Sequence, residues 1–118
     1  MTGCNRGDVV LVSFIFSDES GERRRPAVIV SSDGYHKRRQ EAIIAAITSR
    51  TDRLLRGDYL INDWRGAGLL FPSVATGIIR TVKQTMISRK LGIMPGPDMR
   101  AIDNELRDAL DLQPADSR

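Results

Sequence analysis

Runs of consecutive apolar positions alternate with short polar clusters along the first 50 residues. Val9, Val10, Leu11, Val12, Phe14, Ile15 and Phe16 form a β-branched and aromatic run. Residues 17–22, Ser-Asp-Glu-Ser-Gly-Glu, break it with turn formers. A second run, 27–30, follows Pro26, whose fixed φ and missing N–H suit the first residue of a strand. Ser31-Ser32-Asp33-Gly34 ends it, and a third run covers 43–47. Both later runs are apolar at successive positions, so both faces of these strands need cover, in a small barrel or a sheet beneath a helix.

Further on, the pattern predicts a short strand over 57–61, a turn over 64–68, and strands over 78–82 and 91–94. Met94-Pro95-Gly96-Pro97 stops the sheet, and Pro97 followed by Asp98 suits the first turn of a helix. Met99, Ile102, Leu106, Ala109 and Leu110 then fall on one helical face. Strands first and one amphipathic helix last define an α+β, mainly β domain. The short strands and close turns favour a small barrel capped by the C-terminal helix. One domain spans 1–118, with a core over about 6–112 and mobile termini.

Composition narrows the classes. At 41% hydrophobic with a net charge of +3, the chain is too apolar for disorder. No apolar run nears the roughly 20 residues of a membrane span, and the N-terminus lacks a signal-peptide core. That predicts a cytoplasmic protein. One cysteine and one histidine exclude an internal disulfide and a closed zinc site, so no metal or cofactor is expected. The charge is uneven. Residues 1–95 carry 15 Lys and Arg against 9 Asp and Glu; residues 96–118 carry 3 against 6. A basic body with an acidic tail fits an anionic partner, and it fits equally an ordinary solvated surface.

Catalytic constellations are few. Cys4 is read as inert at a mobile terminus, and His36 as a surface histidine in a basic loop. Two positions stand out. Arg25 precedes Pro26 where a polar loop enters a buried strand, and Thr48-Ser49 stand where the next buried strand ends. Antiparallel pairing of those strands would bring the three together as a phosphate cradle, with a bidentate guanidinium and neutral donors. A structural ion pair for Arg25 and plain strand-end hydroxyls are the alternative.

Several segments, in order, resemble the MazF/PemK toxin family. They are Arg6-Gly7-Asp8-Val9-Val10, then Arg24-Arg25-Pro26-Ala27-Val28-Ile29-Val30-Ser31, then Ala45-Ala46-Ile47-Thr48-Ser49. Ala67-Gly68-Leu69-Leu70, Pro72-Ser73-Val74, Ile79-Arg80-Thr81-Val82 and Lys90-Leu91-Gly92 follow. The resemblance runs from about residue 6 to 112. It implies an SH3-like barrel with added helices, a homodimer, and a sequence-specific, metal-independent endoribonuclease that is the toxin of a toxin–antitoxin pair. Single-stranded RNA is the implied substrate, cut by its own 2′-hydroxyl to leave a 2′,3′-cyclic phosphate and a 5′-hydroxyl.

Residue by residue, the resemblance carries over Arg25 and Thr48 as catalytic. Asp18, Arg24, Ser49, Ser73 and Arg80 become RNA-contact candidates, with a structural ion pair as the alternative for Arg80. The implied partner is an antitoxin whose acidic C-terminal segment fills the basic cleft, and operator DNA is reached only through it. Ala75 and Gly77 stand near where some relatives carry an additional Arg and Asp, and Gly77-Ile78 where others carry Glu-Gln, so the recognised RNA sequence does not transfer. The alternative function is a non-catalytic nucleic-acid-binding domain. An SH3-type peptide module needs an aromatic groove, which 5% aromatics equips poorly.

Overall fold

The computed structural model describes residues 3–15 and 22–113. Its strands are β1 (Asp8–Ile15), β2 (Glu22–Ile29), β3 (Glu41–Thr48), β4 (Tyr59–Leu60), β5 (Val74–Lys83) and β6 (Ile87–Ile93). Two helices, α1 (Asp33–Arg38) and α2 (Gly96–Leu110), complete the described chain. All strand pairings are antiparallel, in the order β4-β5-β3-β2-β1-β6. The mainly β fold with a C-terminal helix is the one the sequence pattern predicts. The ladder differs from a full barrel in one respect: β4 and β6 are its two ends and do not pair, so the sheet is not closed.

Connectivity nevertheless forces the sheet to curl. β5 and β6 stand four positions apart in the sheet, about 19 Å if it were flat. Only the 3₁₀ turn Gln84–Met86 joins them in sequence, and the four steps from Lys83 to Ile87 reach at most about 14 Å. The sheet therefore bends until Val82 and Ile87 meet Val10, Val12, Ala27 and Ile44 in one cluster. Irregular register in β1–β6 and in β3–β5 supplies the bend. Gln84 pins the turn, its side chain donating to the carbonyls of His36, Arg39 and Glu41.

The opposite sheet face carries Val9, Val28, Ala45 and Ile47, covered by Met99, Ile102 and Leu106 of α2. Both faces of β1–β3 are thus buried, which is why their apolar residues run consecutively rather than alternate. Ala109 and Leu110 lie beyond the packed stripe and are exposed. α2 ends at Asp111, whose left-handed φ of 56° lets its N–H reach the carbonyls of Arg107 and Asp108.

Three local expectations are corrected. Residues 31–34 do not merely end β2: the Ser32 hydroxyl accepts from the Tyr35 N–H and caps α1. His36 is a core residue rather than a surface one. Its Nδ1 donates to the Cys4 carbonyl at 3.0 Å, and its Nε2 shares a hydrogen bond with the Ser31 hydroxyl at 2.5 Å. Cys4 is held there, 5% exposed, instead of lying at a loose end. Burial, with Asp8 and Asp33 adding to it, pushes its thiol pKa up.

Candidate active site

β2 begins at Glu22, so Arg25 stands inside a strand, opposite Val12 of β1, rather than at a loop's exit. The register that pairs Ala27 with Ala46 carries Arg25 toward Thr48, the last residue of β3. The convergence expected from antiparallel pairing is present. Arg25, Thr48, Ser49 and Ser73 line one hollow of about 410 Å³, together with Pro26, Ile47, Leu69 and Arg89. A neighbouring hollow of about 320 Å³ shares Arg25, Pro26, Ile47 and Thr48 and adds Phe14, Ile78 and Arg80. Arg25 and Thr48 therefore form a ridge with a cavity on either side.

The polar groups on this ridge are available to a ligand. None of the ion pairs among the described residues involves Arg25, so the structural-pair alternative finds no support there. Thr48 Oγ1 accepts from the Arg50 N–H at 3.2 Å, which leaves its own proton to donate elsewhere. Among the described residues, two arginines and three hydroxyl-bearing residues line the larger hollow, and no aspartate or glutamate does. Such a surface suits a phosphate that gathers negative charge.

The remaining candidates divide. Ser49 is exposed on the larger hollow. Ser73 also lines it, but is 4% exposed and donates to the Phe71 carbonyl at 2.8 Å, so its hydroxyl fixes the wall. Arg80 stands in the smaller hollow with its guanidinium 4.7 Å from the Phe14 ring centre, a cation–π contact rather than the structural ion pair that was the alternative to an RNA contact. Arg24 pairs with Ser13, and strand alternation turns it to the face opposite Arg25. Asp18 lies outside the described residues.

Sequence reasoning missed Arg89 and Phe71. Arg89 sits on β6 opposite Leu11, and β6 reaches β1 only through a pairing about 80 residues apart in sequence. Phe71, 63% exposed, belongs to the segment between Gly68 and Ser73 that forms the outer wall. That wall is anchored at two glycines. A Cβ on Gly68 would collide with the Leu91 carbonyl, and one on Gly92 would lie 2.5 Å from the Ala67 carbonyl. From the inner side, buried Asp98 accepts from Tyr59 Oη at 2.5 Å and from the Asn62 and Asp63 N–H groups at 2.9 and 3.0 Å. Burial, and then the hydrogen bond to Asp98, push the Tyr59 pKa up to about 12.

Gly77 explains one departure noted in the sequence. A Cβ there would stand 3.3 Å from Gly57 Cα and from the Arg56 carbonyl, and its N–H donates to Asp58. The site accordingly takes no side chain from this position.

A small, curled antiparallel sheet with an arginine–hydroxyl ridge and a C-terminal helix is the class these observations define. Residues 5–110 match the family described as PemK-like, MazF-like toxin of type II toxin–antitoxin systems, and the chain belongs to that family. No curated protein matches the sequence. Among solved structures, an endoribonuclease in complex with its cognate antitoxin from a mycobacterial species is 21% identical. It is similar over 94% of this chain and 98% of its own, with a TM-score of 0.74. MazF in a MazE–MazF complex from Deinococcus radiodurans is 17% identical over 93% and 97%, with a TM-score of 0.78. Toxin MazF-mt6 of Mycobacterium tuberculosis is 20% identical over 90% and 98%, with a TM-score of 0.72.

Proposed function

We propose that this chain is a sequence-specific, metal-independent endoribonuclease acting on single-stranded RNA, the mRNA-cutting toxin of a cytoplasmic toxin–antitoxin pair. The observation that carries the reading is the ridge of Arg25 and Thr48 between two hollows, a seat for one phosphate with room for the nucleotide on each side. The 2′-oxygen attacks the adjacent phosphorus, one P–O bond forms as the bond to the 5′-oxygen breaks, and a 2′,3′-cyclic phosphate is left. The proton lost at the 2′-oxygen is balanced by the one gained at the 5′-oxygen, so no metal-activated water is needed. Arg25 neutralises the charge gathering on the phosphorane oxygens, and Thr48 donates to the same group.

The same reading makes the active form a homodimer. Its inhibitor is an antitoxin with an acidic C-terminal segment, drawn to the basic hollow, and operator DNA is reached through that antitoxin.

Arg25→Ala should lower kcat by about 10²–10³, measured on a fluorogenic RNA in EDTA, with the melting temperature unchanged because the side chain is exposed. Unchanged cleavage would remove Arg25 from the mechanism. Salt-sensitive binding with no product, in the wild type, would favour a binding domain without catalysis.

A further inference from the structure

A second concentration of positive charge stands at the far end of β3. Lys37 and Arg38 end α1, Arg39 follows as its C-cap, and all three are exposed. Lys83, also exposed, ends β5 directly opposite Glu41, the first residue of β3. The Gln84 side chain draws the two segments into one corner, donating to the carbonyls of His36, Arg39 and Glu41 at 3.2, 3.0 and 3.0 Å. Thr48 of the ridge is the other end of β3, about 24 Å away along the strand. The corner is therefore separate from the hollows around Arg25.

Within the described chain most of this charge is left over. Basic side chains in the last turn of a helix ordinarily serve its carbonyls, yet here the Gln84 carboxamide serves those of His36 and Arg39. The two acids of the corner are engaged as well. Asp33, one turn before Lys37, accepts from the Arg6 N–H at 2.8 Å, and Glu41 accepts from Arg39 Nε at 3.2 Å. Lys37, Arg38 and Lys83 have no ion-pair partner among the described residues. Arg39 is held in place over the Tyr35 ring, 4.9 Å from its centre. Cations spread in this way over two elements suit the successive phosphates of a strand, whose binding releases condensed counterions.

We infer that this corner is a second RNA-binding surface, which holds the phosphate backbone of a strand whose cleaved phosphate sits on Arg25 and Thr48. The inference rests on the endoribonuclease reading above and adds to it a preference for substrates long enough to reach both places.

Fully 2′-O-methylated oligonucleotides bind without supplying the attacking hydroxyl, and lengths from about 4 to about 16 nucleotides test the inference by equilibrium binding. Wild-type affinity should rise about tenfold once the strand reaches from ridge to corner. Lys37→Gln/Lys83→Gln, one cation from each element, should weaken the longest strand about 5- to 10-fold and leave the shortest unchanged. For the longest strand, the dependence of log affinity on log salt should flatten by about 1.4, two phosphate contacts' worth. Arg100→Gln/Arg107→Gln removes the same charge from α2 and should leave the length dependence as it is in the wild type.

Both lysines are exposed, so the corner variant should melt with the wild type. An equal loss for short and long strands, or the same loss in the α2 variant, would overturn the inference, because the corner would then act only through net charge. Unchanged RNA binding beside weakened binding of polyglutamate would overturn it too, giving the corner to an acidic protein. If the wild type leaves unmethylated RNA whole, the endoribonuclease reading fails, and the length dependence still decides whether the corner holds RNA.

Discussion

At the scale of single residues, Asp98 does for the inside of the site what Arg25 is proposed to do at its surface. It is 2% exposed and takes hydrogen bonds from one side chain and two backbone N–H groups, tying the first turn of α2 to the chain that follows β4. Asp98→Ala leaves three donors without their acceptor and should cost about 3 kcal/mol or more in urea unfolding. Its partner Tyr59 gives a pH signature. The folded state raises the phenol from 10.0 to about 12, so between these values it binds more protons than the unfolded chain. The stabilisation is complete below pH 10 and disappears as pH rises through about 12. Tyr59→Phe should be less stable at neutral pH and should lack that part of the alkaline loss, read from melting temperatures between pH 8 and 11. An alkaline limb unchanged in Tyr59→Phe would mean that another group governs it.

At the scale of elements, the apolar runs of β1, β2 and β3 are visible in the sequence because both of their faces are buried. Arg25 and Thr48 are visible for a related reason: neighbouring antiparallel strands place the start of one beside the end of the next. The arginines at 23–25 read as loop, yet pairing with 12–14 of β1 extends β2 back to Glu22, cross-strand contact overriding a charged composition. α1 is hidden because Asp33-Gly34 carries the chemistry of a turn, and only the Ser32 cap and buried His36 turn it into a helix. Arg89 is hidden because β6 joins β1, a partner that local sequence cannot name. The contact of the 64–69 turn with β6 is likewise non-local, and it supports the outer wall of the hollow. Gly92→Ala forces a methyl against the Ala67 carbonyl. It should cost about 1–3 kcal/mol and lower the melting temperature by several degrees. An unchanged melting temperature would show that the wall yields easily.

At the scale of the molecule, a net charge of +3 conceals a basic body and an acidic last fifth. The arginines that matter to the site, Arg25, Arg80 and Arg89, are carried by three different strands of one curled sheet. Curling rather than closing is what opens the hollows beside them, and single-stranded RNA is the polyanion proposed to occupy them. Binding should therefore be strongly salt-dependent: the affinity of the Arg25→Ala protein for RNA should fall by orders of magnitude between 50 and 200 mM salt if several phosphates are contacted. A flat salt response would leave the basic surface without that role. The most direct test of the whole account is the chemistry of the ends left on a long single-stranded RNA digested by the wild-type protein in EDTA. The account predicts cuts at a defined sequence, with 5′-hydroxyl ends that accept phosphate from a kinase and 2′,3′-cyclic phosphates on the other fragment. Intact RNA, or fragments bearing 5′-phosphates, would contradict it.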